Sequence, residues 1–406
     1  MTHSVLKIAV LTDLHAFPGK YNDKAPSWLA LGDDQSNVRS NPFAGLKALI
    51  AADGLKADLV VCCGDMGDKA SPEGQQYVWR EVNGLKSLLQ AERVVGTAGN
   101  HDLDSRLQHT QYDARGQVQA LDPPFPIEDG PKWMEYWAKN YTTFDFQEAR
   151  FVLLNSAAYH GYAKSVDEPE YLHGRISDRT LERLVADTKS QGERKANILV
   201  VHHHPFKNDL INVPDYSQME NGDRLVNELT ASRTGPWFIV HGHKHMPRVF
   251  YGPGGNSAPA IFSAGSFSAR LYPEYADLAR NEFYIVELQV PAALGAATSV
   301  KGRIRTWQWS YGNGWVRPKA GQGLGPSAAF GTRAEVGELA FELSTLLKQR
   351  HSGNSVSWED TLALKPSIGF LIPEDLSHLL HILENTYQIR PVADYSTGEI
   401  AEVQVA

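Results

Sequence analysis

The chain has 406 residues, 42% of them hydrophobic and 21% charged, with a formal net charge of −8. This balance excludes a disordered, fibrous or collagen-like protein, and the length suits one large domain or two to three ordinary ones of roughly 100–200 residues. A mildly acidic chain is not built for broad adhesion to nucleic acid or anionic lipid, and no run approaches the ~20 apolar residues of a membrane span.

The N-terminus runs almost directly into the strand-like Ile8-Ala9-Val10-Leu11, without the apolar stretch and cleavage site of a signal peptide. The two cysteines, Cys62 and Cys63, are adjacent; on a strand they point to opposite faces and are poor disulfide partners. A reduced, cytoplasmic protein with no membrane association is expected.

Apolar, β-branched runs predict strands at Leu6–Leu11, Asp58–Cys63, Arg93–Thr97, Arg150–Asn155, Ile198–His203, Trp237–His241, Ala260–Ser263 and Phe283–Leu288. Between them, helices are predicted at Pro42–Ala52, Pro72–Gln90, Lys132–Asn140, Asp178–Gln191 and Ser217–Ala231. The first three strands alternate with helices, which suggests βαβ units and an α/β fold with a parallel sheet. Residues 103–131, with Asp122-Pro123-Pro124-Phe125-Pro126, read as a long excursion over a site. Arg303–Trp309 alternates as a strand does. The Gly/Pro/Ala-rich stretch 319–331 then reads as a linker between a catalytic domain, 1–318, and a small helical C-terminal extension, 332–406. That extension is expected to pack on the main domain or on a second copy, giving a homo-oligomer.

Five short segments follow the ends of predicted strands: Leu11-Thr12-Asp13-Leu14-His15, Cys63-Gly64-Asp65-Met66-Gly67-Asp68, Ala98-Gly99-Asn100-His101-Asp102, Val201-His202-His203-His204-Pro205 and Val240-His241-Gly242-His243-Lys244-His245. In open α/β sheets the carboxyl ends of the strands form the ligand crevice, so these imidazoles, carboxylates and amide oxygen converge. Residues i and i+2 leaving a strand project the same way, so Asp13 with His15, and His243 with His245, can each reach one ion. A carboxylate such as Asp65 can bridge two cations. Mixed nitrogen and oxygen donors suit Zn, Fe, Mn or Co. Seven ligands sharing one bridge give two sites about 3.5–4 Å apart, the spacing that clamps both oxygens of an in-line displacement.

The ordered set D-x-H, G-D, G-N-H-D, H-x-P and G-H-x-H resembles the calcineurin-like metallophosphoesterases, over most of residues 5–290. The resemblance implies a four-layer α/β sandwich, two mixed β-sheets flanked by helices, with a dinuclear site at one end. It implies Asp13, His15 and His245 on one ion, Asn100, His203 and His243 on the other, and Asp65 between them. The cofactors would be two divalent or trivalent ions of Mn, Fe, Zn or Co. His203 is selected over its neighbours as the histidine two positions before proline; His202 is expected to face away and pack. His101 would protonate the leaving-group oxygen or stabilise the transition state, with Asp102 orienting it. The reaction implied is hydrolysis of a phosphodiester by a hydroxide bridging the two ions.

His204 is a candidate contact to the substrate phosphate, and Arg106 a candidate phosphate contact or a solvated surface residue. Asp68 is either a helix cap or a support for the site, His241 a structural residue, and His160 and His173 possible rim residues. Trp307, Trp309 and Trp315 form an interdomain core or a nucleobase platform. The expected partner is a small phosphorylated substrate, a phosphodiester or nucleotide. The alternatives are a nuclease, which the acidic charge disfavours, a phosphomonoesterase, and a metal-free binding module.

Overall fold

The structure is a computed structural model that describes residues 4–162, 170–207, 215, 217–271, 278–321 and 323–406. Sixteen strands lie among the described residues: β1 (Ser4–Leu11), β2 (Leu59–Cys62), β3 (Arg93–Gly96), β4 (Tyr141–Phe146), β5 (Ala149–Leu154), β6 (Ala196–Val200), β7 (Trp237–His241), β8 (Arg248–Tyr251), β9 (Ala260–Ser263), β10 (Glu282–Val290), β11 (Lys301–Ser310), β12 (Gly314–Val316), β13 (Ser327–Phe330), β14 (Ser355–Ser357), β15 (Ile389–Ala393) and β16 (Ile400–Val405). The helices are α1 (Pro42–Asp53), α2 (Pro72–Leu88), α3 (Gly116–Gln119), α4 (Gly130–Lys139), α5 (Asp178–Ser190), α6 (Gly222–Ala231), α7 (Val336–His351), α8 (Trp358–Leu364) and α9 (Pro373–Tyr387).

The first sheet has the order β12-β11-β10-β1-β2-β3, with β13 added beside β11. Strands β1, β2 and β3 are parallel, as the alternation with α1 and α2 predicts, whereas β10 runs antiparallel to β1. The second sheet has the order β4-β5-β6-β7-β9-β8; its four middle strands are parallel and its two edge strands antiparallel. Alternation sorts each strand into two faces. Phe151, Ile198, Val200, Phe238, Val240 and Phe262 are buried in the core shared with the first sheet. Val152, Leu199, Val201, Ile239 and Ile261 are buried instead against Leu181, Leu184, Leu225 and Leu229 of α5 and α6. This is the expected sandwich of two mixed sheets flanked by helices.

Caps explain where the helices start. The Asn41 side chain accepts from Ala44 N–H, Ser71 from Gly74 N–H and Ser177 from Thr180 N–H, and α1 and α2 each carry proline in the first turn. The 103–131 excursion is tied into the main body: Val118, Phe125 and Ile127 are fully buried, and the Asp104 carboxylate accepts from the N–H groups of Gln108, His109 and Thr110. Trp307, Trp309 and Trp315 are at most 8% exposed, so they serve the core and offer no nucleobase platform.

The stretch expected to be a linker holds a strand within it. Residues 327–330 form β13, which pairs Ser327↔Arg305 through Phe330↔Gly302, with Phe330 fully buried. Beyond it, α7 and α9 stand where the helical spacing places them. The module also contains the short α8 and a three-stranded sheet, β14-β16-β15, whose strands mix polar residues and proline among the apolar ones and so lack the continuous apolar runs of the main sheets. Its own core is built on Leu339, Leu343, Leu347, Leu379, Leu383 and Val403. Tyr251 at the edge of the second sheet holds it: the Gly331 N–H donates to Tyr251 Oη at 2.7 Å, Tyr251 Oη donates to the Thr332 carbonyl at 3.1 Å, and Arg333 lies 3.8 Å over the ring.

Candidate metal centre

All five histidine- and carboxylate-bearing segments meet at the strand ends of the two sheets. Leaving β1, the chain turns sharply: Asp13 and His15 both adopt left-handed backbone, φ 54° and 50°. Asp65 after β2, and His243 and His245 after β7, do the same, at φ 55°, 75° and 58°. Such conformations cost about 1–3 kcal/mol each for a residue with a side chain and persist where the surroundings impose them. Here the Asp65 carbonyl accepts from both Leu14 and His15 N–H, Gly64 carbonyl accepts from Asp13 N–H, and Ser266 Oγ donates to the Asp13 carbonyl. Two glycines make the closeness possible. A Cβ on Gly99 would sit 2.2 Å from Asp65 Oδ1, and one on Gly242 2.1 Å from Thr12 Oγ1 and 2.4 Å from Asp13 Oδ2.

The donors form overlapping groups in which one atom from each residue lies within 4.8 Å of the others: Asp13, His15 and His245; Asp13, Asp65 and His202; His15, Asp65 and His101; His202, His203 and His243. His245 Nε2 is 3.2 Å from Asp13 Oδ1, and His15 Nε2 is 3.7 Å from Asp65 Oδ2. Asn100 Oδ1 lies 3.0 Å from His243 Nδ1 and 3.1 Å from His202 Nε2. Asp13 Oδ1, His15 Nε2 and His203 Nε2 are buried without a hydrogen-bond partner. Buried polar atoms are almost always paired, so three unpaired donors in one cluster fit a bound cation.

Electrostatics agree. Burial opposes the charge on Asp13, yet His245 and His202 hold its pKa down to about 2, and Asp65 is likewise held well below the usual range by His202 and His101. Burial, together with neighbouring imidazoles, pushes His15 down to about 4 and His203 and His243 well below the ordinary value. Ionised carboxylates beside neutral imidazoles are the ligand forms a divalent ion needs.

His202 departs from expectation. The rule of alternate faces applied to a strand continuing through 203, but β6 ends at Val200. Past that point the chain bends, and the rings of His202 and His203 lie 4.9 Å apart. His202 Nε2 is 3.3 Å from Asp65 Oδ2, while its Nδ1 contacts the Cys63 carbonyl at 2.8 Å, the kind of carbonyl support that orients a ligating imidazole. Burial works against its protonation, but Asp65 and Asp13 raise the pKa to about 9. His203 instead joins Ser156 Oγ through Nδ1 at 2.8 Å and leaves Nε2 open.

Asp102 does not orient His101. Its carboxylate accepts from the backbone N–H groups of Asp65 and Gly99 through Oδ2 and of Met66 through Oδ1, at 2.7–2.9 Å, so it shapes the loop that carries Asp65. Burial first, then Asp65, raises the Asp102 pKa to about 7. The partner of His101 is Asp68, whose Oδ1 lies 3.3 Å from Nδ1; the spacing after Gly64-Asp65 offered that residue without deciding its role. The His101 N–H donates to Asp65 Oδ1 at 2.7 Å, and its ring meets His15 edge-on at 4.7 Å.

His204 is buried, with Nε2 paired to Asp215 at 2.7 Å and Nδ1 left without a hydrogen-bond partner, and its ring lies parallel to that of His243 at 5.7 Å. Arg106 is exposed and stacks 4.5 Å over Tyr171, near enough to act on the charge of His101. His160 Nε2 contacts the His173 carbonyl, and the His160 ring meets that of His203 edge-on at 5.8 Å.

A family model for calcineurin-like phosphoesterases matches residues 6–249, a span that carries all five segments. The chain belongs to the calcineurin-like phosphoesterase family. A second model, described as wHTH-Calcineurin_assc, matches residues 328–385, so the C-terminal module through most of α9 is similar to a winged helix-turn-helix. No curated protein matches the chain. Among solved structures, purple acid phosphatase PPD1 from yellow lupin is similar at 13% identity and a TM-score of 0.44, covering 77% of this chain and 53% of its own. The phosphoesterase chain thus spans about half the length of that relative. PhoD is similar at 10% identity and TM-score 0.46, covering 80% and 69%. Phosphopantetheinyl hydrolase PptH from Mycobacterium tuberculosis is similar at 13% identity and TM-score 0.33, covering 65% and 91%. No helix among the described residues is long and apolar enough to cross a membrane.

Proposed function

We propose that this phosphoesterase is a dinuclear-metal phosphodiesterase acting on a small phosphorylated substrate, with Asp13, His15 and His245 holding one ion, Asn100, His203 and His243 the other, His202 joining that second set, and Asp65 shared. His202, His203 and His243 each place a ring nitrogen within 4.8 Å of the others. The observation that carries the reading is the inward-facing cluster of unpaired buried donors, Asp13 Oδ1, His15 Nε2 and His203 Nε2. Two ions of Mn, Fe, Zn or Co held there would supply Lewis-acid polarisation of the phosphoryl group and a water of lowered pKa.

The chain's own groups supply the rest. In the neutral ring the Lys69 N–H donates to His101 Nδ1 at 3.1 Å and the ring proton sits on Nε2; in the imidazolium Nδ1 instead donates to Asp68 Oδ1, 3.3 Å away. Burial disfavours a second proton, but Asp65 and Asp68 outweigh it and raise the pKa. His101 is therefore poised to give a proton to the alcohol oxygen as the phosphorus–oxygen bond breaks, with Asp68 stabilising the imidazolium and fixing the ring. Arg106, at the rim, meets the charge of the incoming phosphate. Thr12 Oγ1 and the His243 N–H both donate to Asp13 Oδ2, at 2.7 and 2.9 Å, so that oxygen is fixed and Oδ1 would be the one left to hold an ion.

A diester is favoured over a monoester because the Gly-Asn-His-Asp and His-His-Pro-Phe blocks look most like the bacterial phosphodiesterase branch. Nucleic acid is disfavoured by charge. Residues 332–406 carry five Lys/Arg against eleven Asp/Glu, and the helix α9 has three acids and no Lys or Arg, the reverse of a phosphate-binding face. A cytoplasmic location remains the reading of the cysteine pair, both buried as free thiols. Assay of chelator-stripped protein reloaded with Mn²⁺ tests the function. Faster turnover of bis-p-nitrophenyl phosphate than of p-nitrophenyl phosphate is expected; the opposite order makes it a monoesterase, and no turnover of either refutes the enzyme.

A further inference from the structure

A cavity of about 450 Å³ lies beside the metal centre on the outer side of the second sheet, and none of the proposed metal ligands lines it. Its floor is the ends of β7, β9 and β8. Val249 enters the core between the sheets, so Arg248 and Phe250 on either side of it face outward, into the cavity. One wall comes from a different module: Ile372 and Glu374 at the start of α9. The volume falls within the range of small-molecule sites, about 300–1,000 Å³.

The lining has a definite chemistry. Three cations reach it, Lys207, Lys244 and Arg248, against one acid, Glu374. Lys244 is held by Asp215 at 3.2 Å and donates to Ser217 Oγ at 3.0 Å; Arg248 stands 3.5 Å from Glu374 and 5.2 Å from the centre of the Phe250 ring. Lys244 and Arg248 are thus placed by neighbours, while Lys207 is exposed. Phe206, Phe250 and Tyr251 add aromatic surface. Convergent cations with flat apolar walls suit an anion that carries a ring.

We propose that this cavity is a second ligand site, separate from the metal centre, for a small organic anion that joins a phosphate to a planar ring. Two contacts link it to the catalytic end. Lys244 sits between His243 and His245, and His204, which lines the cavity, stacks on His243. An occupant touching Arg248 and Glu374 also braces the winged helix against the catalytic domain. The site is an effector site by position.

Adenosine 5′-monophosphate is the probe, titrated calorimetrically into the full chain, with inorganic phosphate as the ring-free control. The protein is expected to bind the nucleotide at least tenfold more tightly than phosphate, with the same affinity in the Asp65→Asn variant. Phe250→Ala and Arg248→Gln are each expected to weaken it at least tenfold while bis-p-nitrophenyl phosphate turnover stays within twofold. Circular dichroism confirms that both variants fold; Lys207→Gln, on an exposed side chain, serves if either does not. No binding, or binding lost in Asp65→Asn and unchanged in Arg248→Gln and Phe250→Ala, overturns the second site. Loss of binding here leaves the diesterase assay untouched, so the two proposals fail separately.

Discussion

The strand-end loops and the winged helix treat polar groups in opposite ways. At the loops, carboxylate and imidazole atoms are buried without partners, on backbone held in left-handed conformations. From residue 335 onward, the one buried side-chain polar atom without a partner is Ser367 Oγ, and the core is leucine, isoleucine and valine. The winged helix folds by apolar burial and keeps its eleven acids outside the core. The metal-centre loops are stabilised elsewhere, by the sheets below them, and their conformation is shaped for a ligand. Stability and chemistry are therefore separable in this chain, and substitutions in the two regions should separate them.

The largest effect is expected at His101. His101→Ala should lower turnover of a diester with a poor leaving group by about 10²- to 10⁴-fold while metal content stays at the parent level. The loss should shrink on bis-p-nitrophenyl phosphate, whose leaving group needs no proton; equal losses on both substrates would remove the acid role. The next effect distinguishes two neighbours. His202→Ala should weaken metal binding at least about 100-fold if it is a ligand as proposed, since the mere supports of a ligand are worth 10–100-fold. His203→Ala should cost less, and elemental analysis after dialysis against graded chelator shows which residue matters more.

The converse holds in the other region. Leu379 is fully buried in the winged-helix core, so Leu379→Ala should cost about 2–5 kcal/mol of that module's stability. Chemical denaturation should show it, with diester turnover at 25 °C unchanged; a parallel loss of activity would tie the module to catalysis. The last effect is a slope with pH. Burial raises the Glu282 carboxyl to about 8, from an ordinary value near 4.5 in the unfolded chain. Folding therefore takes up a proton between those values, and this group's contribution falls as pH rises from about 4.5 to 8. Glu282→Gln removes that slope, so its melting temperature should decline less than the parent's between pH 5 and pH 8.

Much of the fold was legible because it repeats a simple pattern. Val10-Leu11, Val60-Val61 and Val94-Val95 are buried on both faces, and a continuous apolar run flanked by capped helices reads as a central parallel strand. The strands that escaped are those without such runs. Tyr141–Phe146 mixes Thr and Asp into an edge, and β13 hides in a Gly/Pro/Ala-rich stretch because its pairing with β11 is decided by the sheet and not by its own sequence. The site followed the same division. Asp13, His15, Asp65, Asn100, His243 and His245 lie in short motifs at strand ends, where spacing constrains geometry. That His202 joins His203 and His243 in one donor group depends on the point at which β6 stops, and propensity does not give that to one residue. The exchange of Asp102 for Asp68 as the partner of His101 is a matter of loop path, which no local pattern encodes.

The centre itself is tested most directly by counting ions. Elemental analysis of the purified chain, reloaded with Mn²⁺ and freed of loose metal, should return two ions per chain, and the Asp65→Asn variant one or fewer with diester turnover abolished. A parent chain that retains no ion, or an Asp65→Asn variant that keeps both, would contradict a shared carboxylate at a two-metal centre.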